Sequence, residues 1–382
     1  MLKLRRATVL DASQAGPRGR QELSIALEGV ESEPRRAFAD TTLLGAVQAG
    51  DEVIVNVEAV DLGLGSGGFD VVHVNLTRGL TGDGALHPGA VKLGYTSLQH
   101  TVHPVEDERL QVPLEGPVAV LALHGQLAAL AWAYRQAHPG ARLGYVQTEG
   151  GALPGSHSQT VVELRERGLL AGHITAGASY GGELEAVSTA GAIHHGLTAL
   201  AWDAVVCGPG PGIVGSGTRL GHGGMVALDT AHVALALGCP TLLVARMSSA
   251  DERPRHRGIS HHTMTVLDLL LEPVTVALPA GMRSPVGADL RAGLGAAFGK
   301  APKAPQQTTI EEIERPARIA RHDWRRAAVD LPSYLASGLP AQTMGRSLTE
   351  DPLFFAAALA GGSALGELTP LESSGDGAGE AA

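Results

Sequence analysis

The chain is short of cysteine, of aromatic residues and of charge. Its two cysteines, Cys207 and Cys239, are too few for a disulfide framework or, by themselves, for a zinc site. Aromatic residues make up 3% of the chain, so Ala, Val, Leu and Ile have to fill the core. Charged residues make up 18% against 44% hydrophobic, a balance that excludes wholesale disorder because there is apolar surface to bury. No apolar run reaches the ~18 residues of a membrane span, and the first residues lack a signal peptide's apolar stretch. A cytoplasmic protein with no membrane partner is expected. Positive charge is in deficit: 29 basic against 39 acidic residues give −10, which argues against nucleic acid as the main partner. Self-association is left open.

Glycine is what the chain has in excess. It supplies 51 of 382 residues, nearly double the usual ~7%. Without a collagen period, that excess implies many tight turns and close backbone approaches.

The first hundred residues read as β: 1–10, 21–27, 52–60, 69–76 and 89–93 are short apolar or alternating runs between turn clusters. From Pro117 the pattern changes to short apolar runs alternating with helical segments, the signature of a parallel sheet covered on both faces. The expected fold is α/β, with a small N-terminal β barrel or sandwich followed by an open, mainly parallel sheet of about six strands flanked by helices. Expected boundaries are 1–113 for the β-rich domain, 114–282 for a Rossmann-like α/β domain and 283–370 for a C-terminal helical region. Residues 371–382 are expected to be a disordered tail. Residues 183–201 and 310–328 are expected to be helical, and the five arginines from Arg315 to Arg326 to form a solvated helix face.

In open parallel sheets ligands bind beyond the carboxyl ends of the strands. Two loops placed there stand out. Gly208 to Gly224 holds eight glycines together with Ser216, Thr218, Arg219 and His222. Arg246 to His262 carries Arg253, Arg255 and Arg257 with His256, His261 and His262. Glycine lets backbone N–H groups approach an anion, and guanidinium groups suit phosphate or carboxylate. The candidate ligand-binding residues are therefore Gly212, Gly215, Ser216, Gly217, Thr218, Arg219, Arg253, Arg255 and Arg257, with Ser156 and His157 from a third loop. Ser156 is read as a helix cap with Gln159 as its capping-box partner. Ser260 would cap a helix whose first turn holds His261 and His262, where the dipole keeps imidazole neutral. These two histidines and Glu183 are the candidate catalytic groups. A metal set of His256, His261, His262 and Asp251 follows no known ligand spacing, and none is expected.

No Walker A lysine follows the glycines, and there is no G-x-S-x-G, H-E-x-x-H or C-x-x-C, so no motif names a cofactor or a standard hydrolase. The leading expectation is an enzyme acting on a small anionic or phosphorylated metabolite. The alternative is a ligand-binding regulatory protein without turnover.

Longer strings carry a resemblance. They are Gly210-Pro211-Gly212-Ile213-Val214-Gly215-Ser216-Gly217-Thr218 and Arg255-His256-Arg257-Gly258-Ile259-Ser260-His261-His262-Thr263, with residues 62–68, 92–99, 181–187 and 343–346. Over nearly its whole length the chain resembles a bacterial family of unknown function from Gram-positive lineages. The resemblance implies a complete member of a stand-alone family. It carries no catalytic residues, because that family has no assigned activity.

Overall fold

In a computed structural model, the structure describes residues 2–16, 19–30, 33–63, 68–80, 89–280 and 317–370. Residues 283–316 of the expected C-terminal helical region, Arg315 among them, and the 371–382 tail lie outside the described residues.

Five strands close the N-terminal barrel: β1 (Leu4–Ala12), β2 (Arg20–Leu27), β3 (Arg35–Asp40), β4 (Glu52–Asn56) and β5 (Asp70–Asn75), in the order β1-β2-β3-β5-β4. Alternation builds it, since Leu23, Ile25 and Leu27 on β2 and Val53 and Val55 on β4 all point inward. The one polar residue of β2 on that face, Gln21, is satisfied by the backbone of Val47 and Ser13. The sequence reading missed β3, whose Arg35 and Arg36 hide the alternation. Arg35 is held by Asp61 and Asp70.

A small hairpin, β6 (Ala90–Lys92) and β7 (His100–Val102), follows the barrel and is anchored on the edge of the sheet. Lys92 is buried and donates to Glu185 Oε2 at 2.6 Å and to the carbonyl of Thr175 at 3.1 Å.

The second unit is an eight-stranded, wholly parallel sheet. Its strands are β8 (Val118–Val120), β9 (Leu143–Thr148), β10 (Gly172–Ala176), β11 (Leu184–Ala186), β12 (Ala204–Pro209), β13 (Thr241–Val244), β16 (Thr275–Pro279) and β17 (Asp323–Ala327). A two-stranded ribbon, β14 (Met247–Ser248) with β15 (Gly258–Ile259), stands apart from the sheet. The sheet order is β11-β10-β9-β12-β8-β13-β16-β17. Helices α1 (Leu127–Ala137), α2 (Gln159–Glu166), α6 (Leu331–Ala336) and α7 (Pro352–Leu368) pack together on one face. Helices α3 (Thr189–Thr198), α4 (Val226–Ala236) and α5 (His261–Leu269) cover the other, as right-handed crossovers in opposite directions require. Helix α7 is apolar nearly all round and buried, as a central helix must be. No helix among the described residues is long and apolar enough to cross a membrane.

Three expectations are corrected. The segment 183–201 begins as edge strand β11 before helix α3. The segment expected to run as a helix to residue 328 becomes β17, which gives the sheet its eighth strand. Its mix of Arg and Trp reads as an amphipathic helix, but an edge strand also tolerates charge. The helix after β9 is capped by Ser158, whose hydroxyl accepts from Val161 N at 3.2 Å, rather than by Ser156.

Glycine's role in the core is concrete at Trp202. The indole is buried in a slot formed by Gly144, Gly172 and Gly196, and a Cβ on Gly144 would lie 1.7 Å from Trp202 Cε3. Gly144→Ala should therefore destabilise the chain by roughly 1–3 kcal/mol or more through overpacking. Urea unfolding measures this, and a variant as stable as the parent would mean the slot is not tight.

Candidate functional site

The chain leaves β8 towards the face of α1, but it leaves β12 and β13 towards the face of α4 and α5. Where neighbouring strands send their chains to opposite faces a crevice opens at their carboxyl ends. The segments after β12 and β13 meet there.

The segment after β12 folds back on itself. Gly215 bridges His222, with Ser216 N donating to Gly221 O at 2.6 Å and Gly223 N to Val214 O at 2.9 Å. Inside that hairpin the Ser216 and Thr218 hydroxyls lie 2.8 Å apart, and Gly221 N donates to Thr218 Oγ1 at 3.1 Å. These two hydroxyls thus hold the loop together. Gly215 makes room for the imidazole, because a Cβ there would lie 2.5 Å from His222 Cδ2. Gly212, at φ +82°, packs against Ala152 and Leu153 of the loop after β9. Gly217, at the exposed tip, lies beside the Arg255 guanidinium.

The segment after β13 is closed by the pairing of β14 with β15. Within it Asp251 is buried and gathers arginines. Arg253 Nε and Nη2 both lie at 2.9 Å from its carboxylate, Arg346 Nη2 at 3.4 Å and Arg246 Nη2 at 3.6 Å, while Arg257 Nε donates to its carbonyl at 2.9 Å. Burial pushes the Asp251 carboxyl up, but the Arg253 hydrogen bonds and charge outweigh it and hold the group well below the usual carboxylate range. Arg219 and Arg255 remain: both are exposed and, among the described residues, neither side chain has a hydrogen-bond or ion-pair partner.

Ser260 caps α5, its hydroxyl accepting from His262 N at 3.3 Å. That cap sets His261 and His262 in the first helical turn, against His222 and His256. Ring centroids are 3.9 Å apart for His261 and His262, 4.2 Å for His222 and His262 and 4.9 Å for His256 and His261. One nitrogen from each of His256, His261 and His262 lies within 4.8 Å of the others, the one such convergence of three or more His, Cys, Asp or Glu groups among the described residues.

The sequence profile of a family described as a protein of unknown function, DUF3866, matches residues 36–362. The chain belongs to that family. No curated protein and no solved structure matches the chain.

In this DUF3866 member burial keeps the histidines neutral. Burial, then the charges of Arg246 and Arg253, pushes His256 down to about 3. Burial, then neighbouring cationic or imidazole groups, lowers His222 and His262 to about 4. His261 is lowered by burial and then by Arg255, Arg246 and Arg219. At neutral pH four imidazoles therefore offer lone pairs rather than charge.

The other sequence-predicted residues are elsewhere. Ser156 lines a cleft of about 200 Å³ between barrel and sheet with Arg20 and Gln159. His157 is buried against Phe38 of the barrel, ring centroids 4.5 Å apart, and its Nε2 lies 3.9 Å from Asp40. Glu183 sits at the amino end of β10, accepting from Arg165 Nε at 2.8 Å and from His173 N at 3.1 Å. The expected absence of a metal set rested on spacing along the chain, whereas the fold brings His256 to His261 and His262 in space. Sequence reasoning gave no role to His124, which follows β8 and places Nε2 2.8 Å from Ser158 Oγ. A histidine directly after the first strand of a parallel sheet is the signal that marks it.

Proposed function

We propose that this protein is an enzyme acting on a small anionic metabolite, phosphorylated or carboxylate, held at the carboxyl edge of the parallel sheet. The observation that carries this reading is the pairing pattern of the arginines. Arg253, Arg257, Arg246 and Arg346 are engaged with Asp251, while Arg219 and Arg255 are left exposed beside the neutral histidines. Both act electrostatically on His261. Two unspent guanidinium groups over a cluster of lone pairs suit an anion that is bound by charge and attacked or deprotonated beside it. The Gly217 tip lies next to Arg255 and lets a ligand approach the backbone closely. The Ser216 and Thr218 hydroxyls take no part, because the loop uses them itself.

Calorimetric titration with pyrophosphate, nucleotides and sugar phosphates tests this. Arg255→Ala should weaken binding by roughly 1.5–3 kcal/mol, tenfold or more, whereas Arg253→Ala should act mainly through stability. Turnover of a bound compound by catalytic amounts of protein separates an enzyme from a binding protein without turnover. Equal binding by the parent and Arg255→Ala, or none by the parent, removes the reading.

A further inference from the structure

We propose that His256, His261 and His262 together form a site for one divalent transition-metal ion of the zinc class, each giving one imidazole nitrogen, with a fourth position left open beside Arg255. This goes beyond the anion reading and stands on the histidines alone.

The convergence comes first. Nitrogens at Zn–N distances of ~2.0–2.1 Å in a tetrahedral site lie about 3.3 Å apart. The three rings already bring one nitrogen each within 4.8 Å, so small side-chain rotations close the set.

The hydrogen bonds orient the rings, and that of His262 fixes its tautomer. His262 Nδ1 faces the carbonyl of Arg219 at 3.2 Å. A carbonyl only accepts, so Nδ1 carries the proton and Nε2 keeps its lone pair. His256 Nδ1 lies 2.8 Å from Ser260 Oγ; with that oxygen accepting, the tautomer that metal binding would select, Nε2 likewise keeps its lone pair. Metal-bound histidines almost always anchor their second nitrogen in this way, and the anchor sets tautomer and ring orientation. Ser260 thus serves twice, as helix cap and as anchor for His256.

His261 supplies the independent sign of a ligand. Its Nε2 is buried and, among the described residues, has no hydrogen-bond partner. A buried, unsatisfied polar nitrogen is costly, and a metal ion removes that cost. His222 is excluded from the set by the same logic. Its Nδ1 accepts from Gly224 N at 3.0 Å, so the proton is on Nε2, and its ring stacks on His262 as a wall.

The donor set selects the ion. Imidazole nitrogens without carboxylate favour zinc, cobalt, nickel or copper over magnesium or calcium. Three protein ligands with an open position are the arrangement of catalytic rather than structural zinc sites. Neutral ligands leave the ion its full charge, and an oxygen of the anion beside Arg219 and Arg255 would complete the coordination.

The test uses the full chain, without an added histidine tag and stripped with a chelator. It is titrated with Zn²⁺ by calorimetry and with Co²⁺ by visible absorption. The expected result is one ion per chain, with cobalt bands of the intensity typical of a four-coordinate site. His261→Ala and His262→Ala should each weaken binding at least about 100-fold, more than loss of an outer anchor costs, while His222→Ala stays within about tenfold of the parent. No binding by the parent, or unchanged binding by His261→Ala and His262→Ala, overturns the proposal, because the ions then sit on scattered surface histidines. Should those variants not fold, the cobalt spectrum of the parent decides, and weak six-coordinate bands overturn it. Anion titration of the stripped protein tests the arginine reading separately, so the two fail independently.

Discussion

Replacing Asp351 by alanine should destabilise the protein by roughly 3–5 kcal/mol and disorder the histidine cluster at the same time. Asp351 is fully buried at the start of α7. Its carboxylate accepts from Ser249 N at 2.7 Å, Ser249 Oγ at 3.1 Å, Ser248 Oγ at 2.5 Å and Arg346 Nε at 3.2 Å. Ser248 ends β14, and the pairing of β14 with β15 closes the segment that carries Arg253, Arg255 and His256. The most buried helix of the fold is thereby tied to the loop that shapes the site. Removing the carboxylate leaves Arg346 Nε, the Ser249 amide and two hydroxyls without their acceptor, and each unsatisfied group is costly away from water. Arg346 also reaches Asp251 at 3.4 Å, so the loss spreads to the second carboxylate. Denaturant unfolding measures the stability change, and metal and anion titrations measure the site. Asp351→Asn keeps the shape and should cost less. An Asp351→Ala chain within about 1 kcal/mol of the parent would show that the tie is not what holds the loop.

The fold class was legible because two periodicities are written plainly in the chain. Val118–Val120, Leu143–Thr148, Ala204–Pro209 and Thr241–Val244 are continuous apolar runs between helical segments, and all became central strands buried on both faces. Elements at the margins were harder. β3 and β17 carry arginines because one side of each meets solvent or an acidic partner, and β11 is three residues long. A pattern shorter than two alternations cannot be told from the start of a helix.

The candidate site was legible by position but not by partnership. That the loops after β12 and β13 should meet followed from topology, and His222 stacked on His262 joins them. Which arginines are free did not follow. Arg253 and Arg255 look equivalent in sequence, yet Asp251 takes the first and leaves the second. Nor could spacing show that His256, on the far side of a two-residue strand, turns back towards His261 and His262. Ser156 and His157 lie in the loop after β9, where the barrel engages them, and Glu183 sits at the opposite, amino edge of the sheet, engaged by Arg165.

Acid should weaken the fold well before its carboxylates titrate. His124 and His157 are outside the proposed metal set, and burial lowers each from the ordinary 6.5 to about 4. For His157 the Asp40 carboxylate works against burial and Arg20 with it. A lowered native pKa means that the unfolded chain takes up protons between pH 6.5 and 4 that the folded chain refuses. The stability of the folded state is therefore fully present above pH 6.5, falls as the pH drops through this window and levels off below about 4. At 1.36 kcal/mol per unit, a difference of about 2.5 units is worth up to ~3 kcal/mol for each histidine. Urea unfolding between pH 7.5 and 4.5 should show the decline. His157→Gln, which fills the space against Phe38 without titrating, should lose packing at pH 7.5 but show a shallower decline with pH. His124 contributes from the segment after β8, where its ring meets Ser158, the residue next to His157, beside the buried Tyr145 hydroxyl. A parent whose unfolding free energy is flat from pH 7.5 to 5 would mean that both rings gain a proton in place, and that the junction between barrel and sheet admits water.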